Sequence, residues 1–270
     1  MLGLMHRFYV APEDWNPDAL ILRGGEAHHA RDVLRLDRGD RAVIFNGVGR
    51  EITAEIVDLA SDQVRLRKLV ETANPPLRCR ITLGQAIPKG KNMDLIVQKA
   101  VEIGAAEIAP LISERTIVEL DSKEAEKKRA KWRQIAIEAA KQCGQNWLPE
   151  VQLPRSLKEF FSAVEAGVLT GKSSNLPPRT AAATAYDLRL IGSLQPDALH
   201  LKKVLADYTQ RRKDRPARVL MLVGPEGDFT PAELALAKTH GCLPITLGPI
   251  ILRVETAAIY CLSVLSYELM

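Results

Sequence analysis

The spacing of apolar residues changes near residue 75 of this chain. Before that point, apolar and polar positions alternate over residues 43–45, 51–57 and 63–67, which predicts half-buried antiparallel strands. Asn46-Gly47 is a strong hairpin signal between the first two strands. One helix is expected from His28 to Leu34. The first 73 residues are therefore expected to form a small β-barrel.

A second pattern, in which short apolar strands alternate with amphipathic helices, follows the linker Thr72–Pro76. Two adjacent prolines cannot continue a helix or the interior of a sheet, so we place a domain boundary there, between residues 1–73 and 74–270. Strand–helix alternation predicts a parallel sheet with helices on both faces. The predicted strands are 81–83, 108–112, 151–153, 219–223 and 244–247, with helical faces over 93–103 and 132–140 and capping boxes at Ser156/Glu159 and Thr230/Glu233.

Two loops that contain Gly-Pro each join a predicted strand to a predicted helix. Gly224-Pro-Glu-Gly227 follows the strand at 219–223, and Gly248-Pro249 follows the strand at 244–247. Either loop alone is typical of an ordinary turn in an α/β protein. Because ligands bind at the carboxyl ends of strands in open α/β sheets, the pair together predicts adjacent loops that line one pocket.

The least regular part of the chain is residues 171–200, which we expect to be a partly mobile insertion. Just before it, Ala166-Gly-Val-Leu-Thr-Gly-Lys-Ser173 matches a relaxed phosphate-loop pattern. The strict pattern has glycine at the first position and a helix after the Lys-Ser pair. Ala166 stands at that first position, and Pro177-Pro178 opposes a helix. An NTPase built on Lys172 is therefore the least favoured function.

The composition indicates a class of protein but does not identify a reaction. With 46% hydrophobic and 26% charged residues over 270 positions, the chain is typical of a soluble globular protein. A formal charge of +4 permits an RNA partner. No apolar stretch is long enough to span a membrane, and the first residues lack the apolar core of a signal peptide. The widely spaced cysteines fit neither disulfides nor zinc, so a cytoplasmic location is expected, and the adjacent His28 and His29 do not predict a metal site.

The chain resembles a known family of enzymes. Gly224-Pro-Glu-Gly227 and the run Leu247-Gly-Pro-Ile-Ile-Leu-Arg-Val-Glu-Thr-Ala257 are similar to the C-terminal signature of the RsmE-type ribosomal RNA methyltransferases, which belong to the SPOUT class. Segments that resemble the rest of the family are His6–Val10, Val33–Asp40, Phe45–Gly47, Lys99–Gly104, Pro110–Thr116 and Ala139–Gly144. The chain departs from the family at Asp228, where a third glycine is usual, and at Ile250, where arginine is usual.

The resemblance implies a fold, a cofactor and partners. It implies a PUA-like N-terminal β-barrel that binds RNA and a SPOUT methyltransferase domain, an α/β domain with a C-terminal trefoil knot. The implied reaction transfers a methyl group from S-adenosylmethionine to N3 of one uridine in 16S (small-subunit) ribosomal RNA, by a homodimer and without a metal. The residues that it implies for cofactor binding are Leu169, Thr170, Val223, Gly224, Pro225, Glu226, Gly227, Leu247, Gly248, Ile251 and Leu252.

Uridine chemistry suggests roles for the polar residues of these loops. Uracil N3 is protonated at neutral pH and must lose that proton to become a nucleophile, so a carboxylate base is expected. Glu226 is the first candidate and Glu255 the second, although Glu226 can also bind backbone of a neighbouring loop, and Glu255 can serve as a helix cap. Arg253 is expected to stabilise charge on the uracil oxygens or to bind an RNA phosphate. Candidate RNA-binding residues are Arg7, Arg31, Arg35, Lys89 and Lys91, for which a solvated face is the alternative.

Two other functions stay open at this point. One is a SPOUT-class 2′-O-ribose methyltransferase that acts on tRNA or rRNA. The other is a non-catalytic RNA-binding or assembly protein that keeps the fold, for which the departures at Asp228 and Ile250 leave room. Cofactor binding separates the second alternative from both enzymes, and mapping of the modified atom separates the enzymes from each other.

Overall fold

The structure, a computed structural model, describes residues 5–116, 120–167 and 186–270. Contacts divide the chain into two compact units. The first unit holds the residues up to Pro76 together with Ile137–Leu148, and the second holds Leu77–Ala136 and Pro149–Met270. The expected division into residues 1–73 and 74–270 did not place residues 137–148 in the first unit.

The first unit is built on a five-stranded sheet. Its strands are β1 (Arg7–Tyr9), β2 (Leu20–Arg23), β3 (Arg41–Phe45), β4 (Arg50–Leu59) and β5 (Gln63–Ala73), in the order β1-β3-β4-β5-β2. Among the strand pairs of this sheet within the described residues, β1–β3 is parallel and the others are antiparallel. The helix predicted from His28 to Leu34 begins earlier and changes its winding. It consists of α1 (Gly24–His28) and a π-helical turn (His29–Val33).

The sheet of the first unit curls into a half-barrel around one apolar core. The pairing of β4 with β5 shifts register twice, between Thr53 and Ala54 and between Ile56 and Asp58. Such irregularities bend a strand and increase its twist. Alternate side chains of the strands therefore converge on one side, where Phe8, Ile44 and Ile52 are completely buried. The predicted alternation of apolar and polar residues is confirmed in β4 and in the first half of β5. It is wrong for residues 43–45 of β3, which are all apolar and all buried.

Residues 146–148 are bound through their backbone to the hairpin between β3 and β4. The Gly49 amide donates to the Asn146 carbonyl over 2.8 Å, and the Leu148 amide donates to the Gly47 carbonyl over 2.9 Å. Gly49 has a φ of 90°, and a Cβ there would lie 2.5 Å from the Trp147 ring. A glycine is therefore required at this position, both for its backbone conformation and for the close approach of the tryptophan.

A buried ion pair in the first unit yields a stability prediction. Lys141 Nζ lies 3.1 Å from Glu26 Oε1, and the Lys141 side chain is only 9% exposed. Burial raises the pKa of Glu26, and Lys141 opposes that rise. We expect Lys141→Ala to lower the free energy of unfolding by about 3 kcal/mol, because it leaves a buried carboxylate without its cation. Urea denaturation measures this loss.

The exposed pair of Arg67 and Glu55 provides a matched control in the same unit. Arg67 Nη2 lies 3.1 Å from Glu55 Oε1, and the Arg67 side chain is 64% exposed. Arg67→Ala is expected to cost less than about 1 kcal/mol, as is usual for surface ion pairs. Equal effects of the two substitutions would contradict the importance assigned to the buried pair.

In the part of the second unit that the structure describes, eight strands form one sheet, and their pairs are all parallel. Its strands are β6 (Arg80–Ala86), β7 (Glu107–Ile112), β8 (Glu150–Val151), β9 (Arg155–Ser156), β10 (Leu188–Gly192), β11 (Leu199–His200), β12 (Arg218–Val223) and β13 (Leu243–Thr246). The strand order is β11-β13-β10-β12-β6-β7-β8, and β9 also pairs with β7. The helices are α2 (Asn92–Ile103), α3 (Ser122–Cys143), α4 (Leu157–Glu165), α5 (Leu201–Arg212), α6 (Pro231–Thr239) and α7 (Val254–Leu269). The part of α3 from Ile137 onward belongs to the first unit.

Helices cover both faces of this parallel sheet. Leu220 and Leu222 of β12 belong to one buried cluster with Phe160 of α4 and Leu234 of α6. Successive side chains of a strand point to opposite faces, so Met221 points away from that cluster. Helix α7 contacts β6, β12 and α2. The predicted parallel α/β sheet is thus confirmed, whereas the trefoil knot stays a prediction.

Strand β10 lies within the stretch that we expected to be an irregular insertion. It pairs with β12 on one side and β13 on the other, so this part of the prediction is wrong. The phosphate-loop pattern with Lys172 falls largely in 168–185, outside the described residues. Among the residues that are described, no helix has both the length and the apolar character needed to cross a membrane.

A buried carboxylate in the sheet predicts a dependence of stability on pH. Glu107 is 7% exposed, accepts a hydrogen bond from Thr82 Oγ1 over 2.9 Å and another from Gln152 Nε2. Burial raises the pKa of Glu107 above its ordinary value, so the folded chain keeps this proton to a higher pH than the unfolded chain. This contribution is fully present below the unfolded pKa and is lost as pH rises through the folded pKa.

We therefore expect Glu107→Gln to unfold at a higher temperature than the unsubstituted protein at neutral pH. The glutamine keeps a carbonyl oxygen for Gln152 and removes the charge. Its advantage should grow as pH rises from about 4 to 7, by about 1.4 kcal/mol for each unit by which the folded pKa is raised. Melting temperatures across this range measure the effect, and parallel pH profiles for the two proteins would contradict it.

Candidate functional site

A cleft of about 510 Å³ lies at the carboxyl ends of the central strands of the second unit. Three loops form it, one after each of β10, β12 and β13. The carboxyl ends of adjacent parallel strands meet at one edge of the sheet, which is where such sheets bind ligands. The residues that line the cleft are Asn92, Gly192, Ser193, Leu194, Val223, Gly224, Pro225, Glu226, Asp228, Ile245, Thr246, Leu247, Gly248, Ile250, Ile251, Leu252, Arg253, Val254, Glu255 and Ala257.

The loop after β12 is held by a tight turn and by the start of α6. The Asp228 amide donates to the Pro225 carbonyl over 2.9 Å. Thr230 and Glu233 form the predicted capping box. The Glu233 carboxylate is buried and also accepts from Ser113 Oγ over 3.0 Å and from the Glu114 amide over 3.1 Å. This loop is therefore fixed both within itself and to the loop after β7.

The loop after β13 requires a glycine and ends at the first turn of α7. Gly248 has a φ of 133°, which other residues rarely adopt. Its amide donates to Thr246 Oγ1 over 3.3 Å. Ile250 and Ile251 are 75% and 76% exposed at the mouth of the cleft. Arg253 is the N-cap of α7, but its side chain makes no capping bond.

Sequence reasoning missed the third loop, Gly192–Leu194. The Ser193 amide donates to the Ile245 carbonyl over 3.0 Å, which fixes this loop beside β13. A signal for this loop was present in the sequence. The run before Gly192 has the pattern of a short strand, and the Gly-Ser that follows it is typical of a strand end. Leu169 and Thr170, which were predicted to line the pocket, lie outside the described residues.

Most of the other predicted cofactor residues line the cleft. These are Val223, Gly224, Pro225, Glu226, Leu247, Gly248, Ile251 and Leu252. Gly227, the remaining member of the predicted set in this loop, is not among the lining residues. The Gly227 carbonyl accepts a hydrogen bond from Arg115 Nη1, and a Cβ at Gly227 would lie 3.3 Å from Arg115 Cδ.

Two carboxylates of the cleft bind the segment that leads from β6 into the start of α2. Glu226 Oε1 accepts from the Lys89 amide over 3.0 Å, and Glu255 Oε2 accepts from Asn92 Nδ2 over 3.3 Å. The second oxygen of each carboxylate has no hydrogen-bond partner among the described residues. Arg253 also lines the cleft, and in the described part of the chain its guanidinium has no hydrogen-bond or ion-pair partner. Within the described residues, the cleft thus offers these two oriented acids, the carboxylate of Asp228 and one free cation.

The proposed RNA-binding residues differ in their availability. Arg7 is 14% exposed, bonds Glu51 and Asn146, and lies over the Phe45 ring, which argues against an RNA contact. The Arg31 guanidinium bonds Asp32 and two backbone carbonyls, so its donors are largely occupied. Arg35, Lys89 and Lys91 are exposed, and none has a side-chain partner within the described ranges.

The described residues contain no metal centre, and the buried thiols are poorly reactive. No group of three or more His, Cys, Asp or Glu side chains is placed there to hold a metal ion. Burial raises the pKa of the Cys242 and Cys261 thiols to about 12. Such thiols stay protonated at neutral pH and are poor nucleophiles.

Comparison with known families matches both parts of the chain. Residues 75–266 match the model of an RNA methyltransferase domain, and residues 22–69 match that of an RNA methyltransferase PUA domain. The chain is 31% identical to the ribosomal RNA small subunit methyltransferase E of Synechocystis sp., over 94% of this chain and 75% of that protein. It is 30% identical to the Bacillus subtilis protein of the same name, over 92% of this chain and 89% of that one.

Solved structures extend this likeness to the fold. A methyltransferase from Legionella pneumophila, solved with bound S-adenosylmethionine, has a TM-score of 0.79 at 33% identity and covers 97% of each chain. The ribosomal RNA small subunit methyltransferase E of Neisseria gonorrhoeae, also bound to S-adenosylmethionine, has a TM-score of 0.78 at 29% identity and covers 98% of each chain. The similarity to cofactor-bound proteins therefore spans both units of this chain.

Proposed function

The chain belongs to the RNA methyltransferase family that includes the ribosomal RNA small subunit methyltransferases E, and from this membership we propose that it methylates N3 of one uridine in small-subunit ribosomal RNA. S-adenosylmethionine supplies the electrophilic methyl group when bound. The observation that carries the proposal is the cleft formed by three loops at the ends of β10, β12 and β13. It occurs in a fold whose solved neighbours bind this cofactor.

The residues of the cleft suit a nucleoside cofactor. A volume of about 510 Å³ falls within the range usual for small-molecule sites. Apolar walls from Leu194, Ile251 and Leu252 can cover an adenine ring, while backbone groups of Gly224 and Gly248 are open to close approach. These residues would hold the cofactor through main-chain contacts and apolar packing.

Proton removal from N3 is assigned to Glu226, with Glu255 as the second candidate. The carboxylate takes the N3 proton, the N3–carbon bond forms as the sulfur–carbon bond breaks, and the neutral thioether leaves. The Lys89 amide holds one oxygen of Glu226 and leaves the other available for the proton. Arg253 is assigned to stabilise negative charge on the uracil oxygens, since its guanidinium has no other partner within the described residues.

The target uridine must be unpaired, because N3 lies on the edge that forms base pairs. An enzyme of this kind needs a second surface that binds the RNA around the unpaired base. We assign that role to the first unit, which matches an RNA methyltransferase PUA domain. Arg35 is its exposed candidate, and Lys89 and Lys91 are the corresponding candidates beside the cleft.

We propose further that the protein acts as a cytoplasmic homodimer on the small subunit or its RNA. Helix α7 begins in the cleft and exposes Tyr260 and Tyr267, which are 46% and 86% accessible. Aromatic residues are enriched at interfaces between proteins, which supports α7 as the contact between protomers. Sedimentation of the full chain tests the dimer separately from the reaction.

The substrate class is tested by transfer of labelled methyl groups. The protein is incubated with labelled S-adenosylmethionine and, in parallel, with unmodified small subunits, deproteinised small-subunit RNA, large subunits and tRNA. We expect incorporation of about one methyl group per small subunit or small-subunit RNA and background incorporation elsewhere. Incorporation into tRNA alone would overturn the ribosomal assignment, and absence of both cofactor binding and transfer would favour a non-catalytic protein.

A further inference from the structure

Asp228 combines two features that set it apart among the residues of the cleft. It lines the cleft, and its φ of 62° lies in the left-handed region that favours glycine. Aspartate tolerates this region better than most residues, because its short side chain can bond nearby backbone. A residue kept in this conformation raises the question of what its carboxylate contributes.

Each oxygen of the Asp228 carboxylate binds a different loop. Oδ1 accepts from the Phe229 amide over 2.7 Å, within the loop after β12. Oδ2 accepts from the Leu194 amide over 3.3 Å, in the loop after β10. A Cβ at Gly224 would lie 3.1 Å from Oδ1, so the glycine at that position leaves room for the carboxylate. One side chain therefore connects two of the three loops that form the cleft.

We propose that Asp228 is a positioning residue for the cofactor, because its carboxylate fixes the Gly192–Leu194 loop against the loop after β12 and keeps the cleft preformed. This inference rests on the cofactor role assigned to the cleft. Ser193 is held by the Ile245 carbonyl, and the Gln195 amide donates to Ser193 Oγ. The bond from Leu194 to Asp228 is therefore the one that connects the exposed tip of this loop to the loop after β12. A cleft that is preformed in only part of the molecules binds its ligand more weakly in proportion to that part.

The test compares Asp228→Gly with Asp228→Asn in the full chain. Glycine suits the backbone conformation and removes the connection, whereas asparagine keeps one acceptor oxygen. We expect Asp228→Gly to raise the Kd and the KM for S-adenosylmethionine about tenfold, with kcat at saturating cofactor unchanged. Hydrogen exchange at the Leu194 amide should become faster, and the melting temperature without ligand should not fall. Asp228→Asn should lie between the two proteins.

The outcomes separate this inference from the proposed function. Unsubstituted protein that binds S-adenosylmethionine, with Asp228→Gly equal to it in Kd and in Leu194 exchange, would overturn the positioning role alone. Unsubstituted protein that does not bind the cofactor would overturn both. A fall in kcat at saturating cofactor, with Kd unchanged, would also contradict a role in positioning the cofactor.

Discussion

Replacing Arg253 with alanine is expected to lower kcat for methyl transfer about 100-fold, with the Kd for S-adenosylmethionine within about twofold. Loss of one donor that stabilises developing charge typically costs a factor of about 100 to 1,000. The side chain makes no capping bond at the start of α7, so its truncation should leave the fold intact. Single-turnover rates with small subunits, together with calorimetric binding of the cofactor, measure the two effects separately.

Arg211→Ala provides the matched control for this prediction. Arg211 is also exposed and also lies near a helix end, but it is in the last turn of α5 and does not line the cleft. Its removal changes the net charge by the same amount and should leave kcat within about twofold. A general loss of charge is excluded as the cause if only Arg253→Ala is slow. An equal loss in both variants would contradict a specific role for Arg253 in the reaction.

Glu226→Gln is expected to lower kcat by a factor of about 100 to 1,000, because it removes the proposed base but keeps an oxygen for the Lys89 amide. The remaining activity should rise with pH, since hydroxide can then take the N3 proton in place of the carboxylate. A merely structural role for Glu226 would not produce that rise. The measurement is a pH profile of single-turnover rates for the variant and the unsubstituted protein.

Glu255→Gln is the paired comparison, since Glu255 also lines the cleft. The amide oxygen of the introduced glutamine keeps the contact with Asn92. Its kcat should fall less than tenfold, without a gain at high pH. If Glu255→Gln shows the large loss and the rescue by pH, and Glu226→Gln does not, the two carboxylates exchange roles. Full activity in both variants would show that neither carboxylate is the base.

Local patterns in the sequence predicted the elements that depend on local interactions. The capping boxes at Ser156 and Thr230 both form, since each joins residues only three positions apart. The alternating strands of the first unit were equally accessible to sequence reasoning, because burial on one face imposes a period of two. Two of the three loops of the cleft were found because glycine and proline mark tight turns.

Features that depend on contacts distant in sequence were not predicted. The backbone hydrogen bond between Gly49 and Asn146 joins residues almost a hundred positions apart, and no local pattern predicts it. Strand β10 was missed because its short apolar run follows a stretch rich in alanine and threonine, and its pairing with β12 and β13 is set by the sheet. Arg7 was assigned to RNA because a sequence does not show that Glu51 and Asn146 already bind it.

Identification of the methylated atom tests the central claim most directly. Small subunits treated with the protein and S-adenosylmethionine would be digested with nuclease, and the modified nucleoside identified by mass spectrometry against standards methylated at N3 and at the 2′-oxygen. The account predicts one N3-methylated uridine per subunit and no methylated ribose. Methyl groups on a ribose 2′-oxygen, or on no nucleoside of the small-subunit RNA, would contradict it.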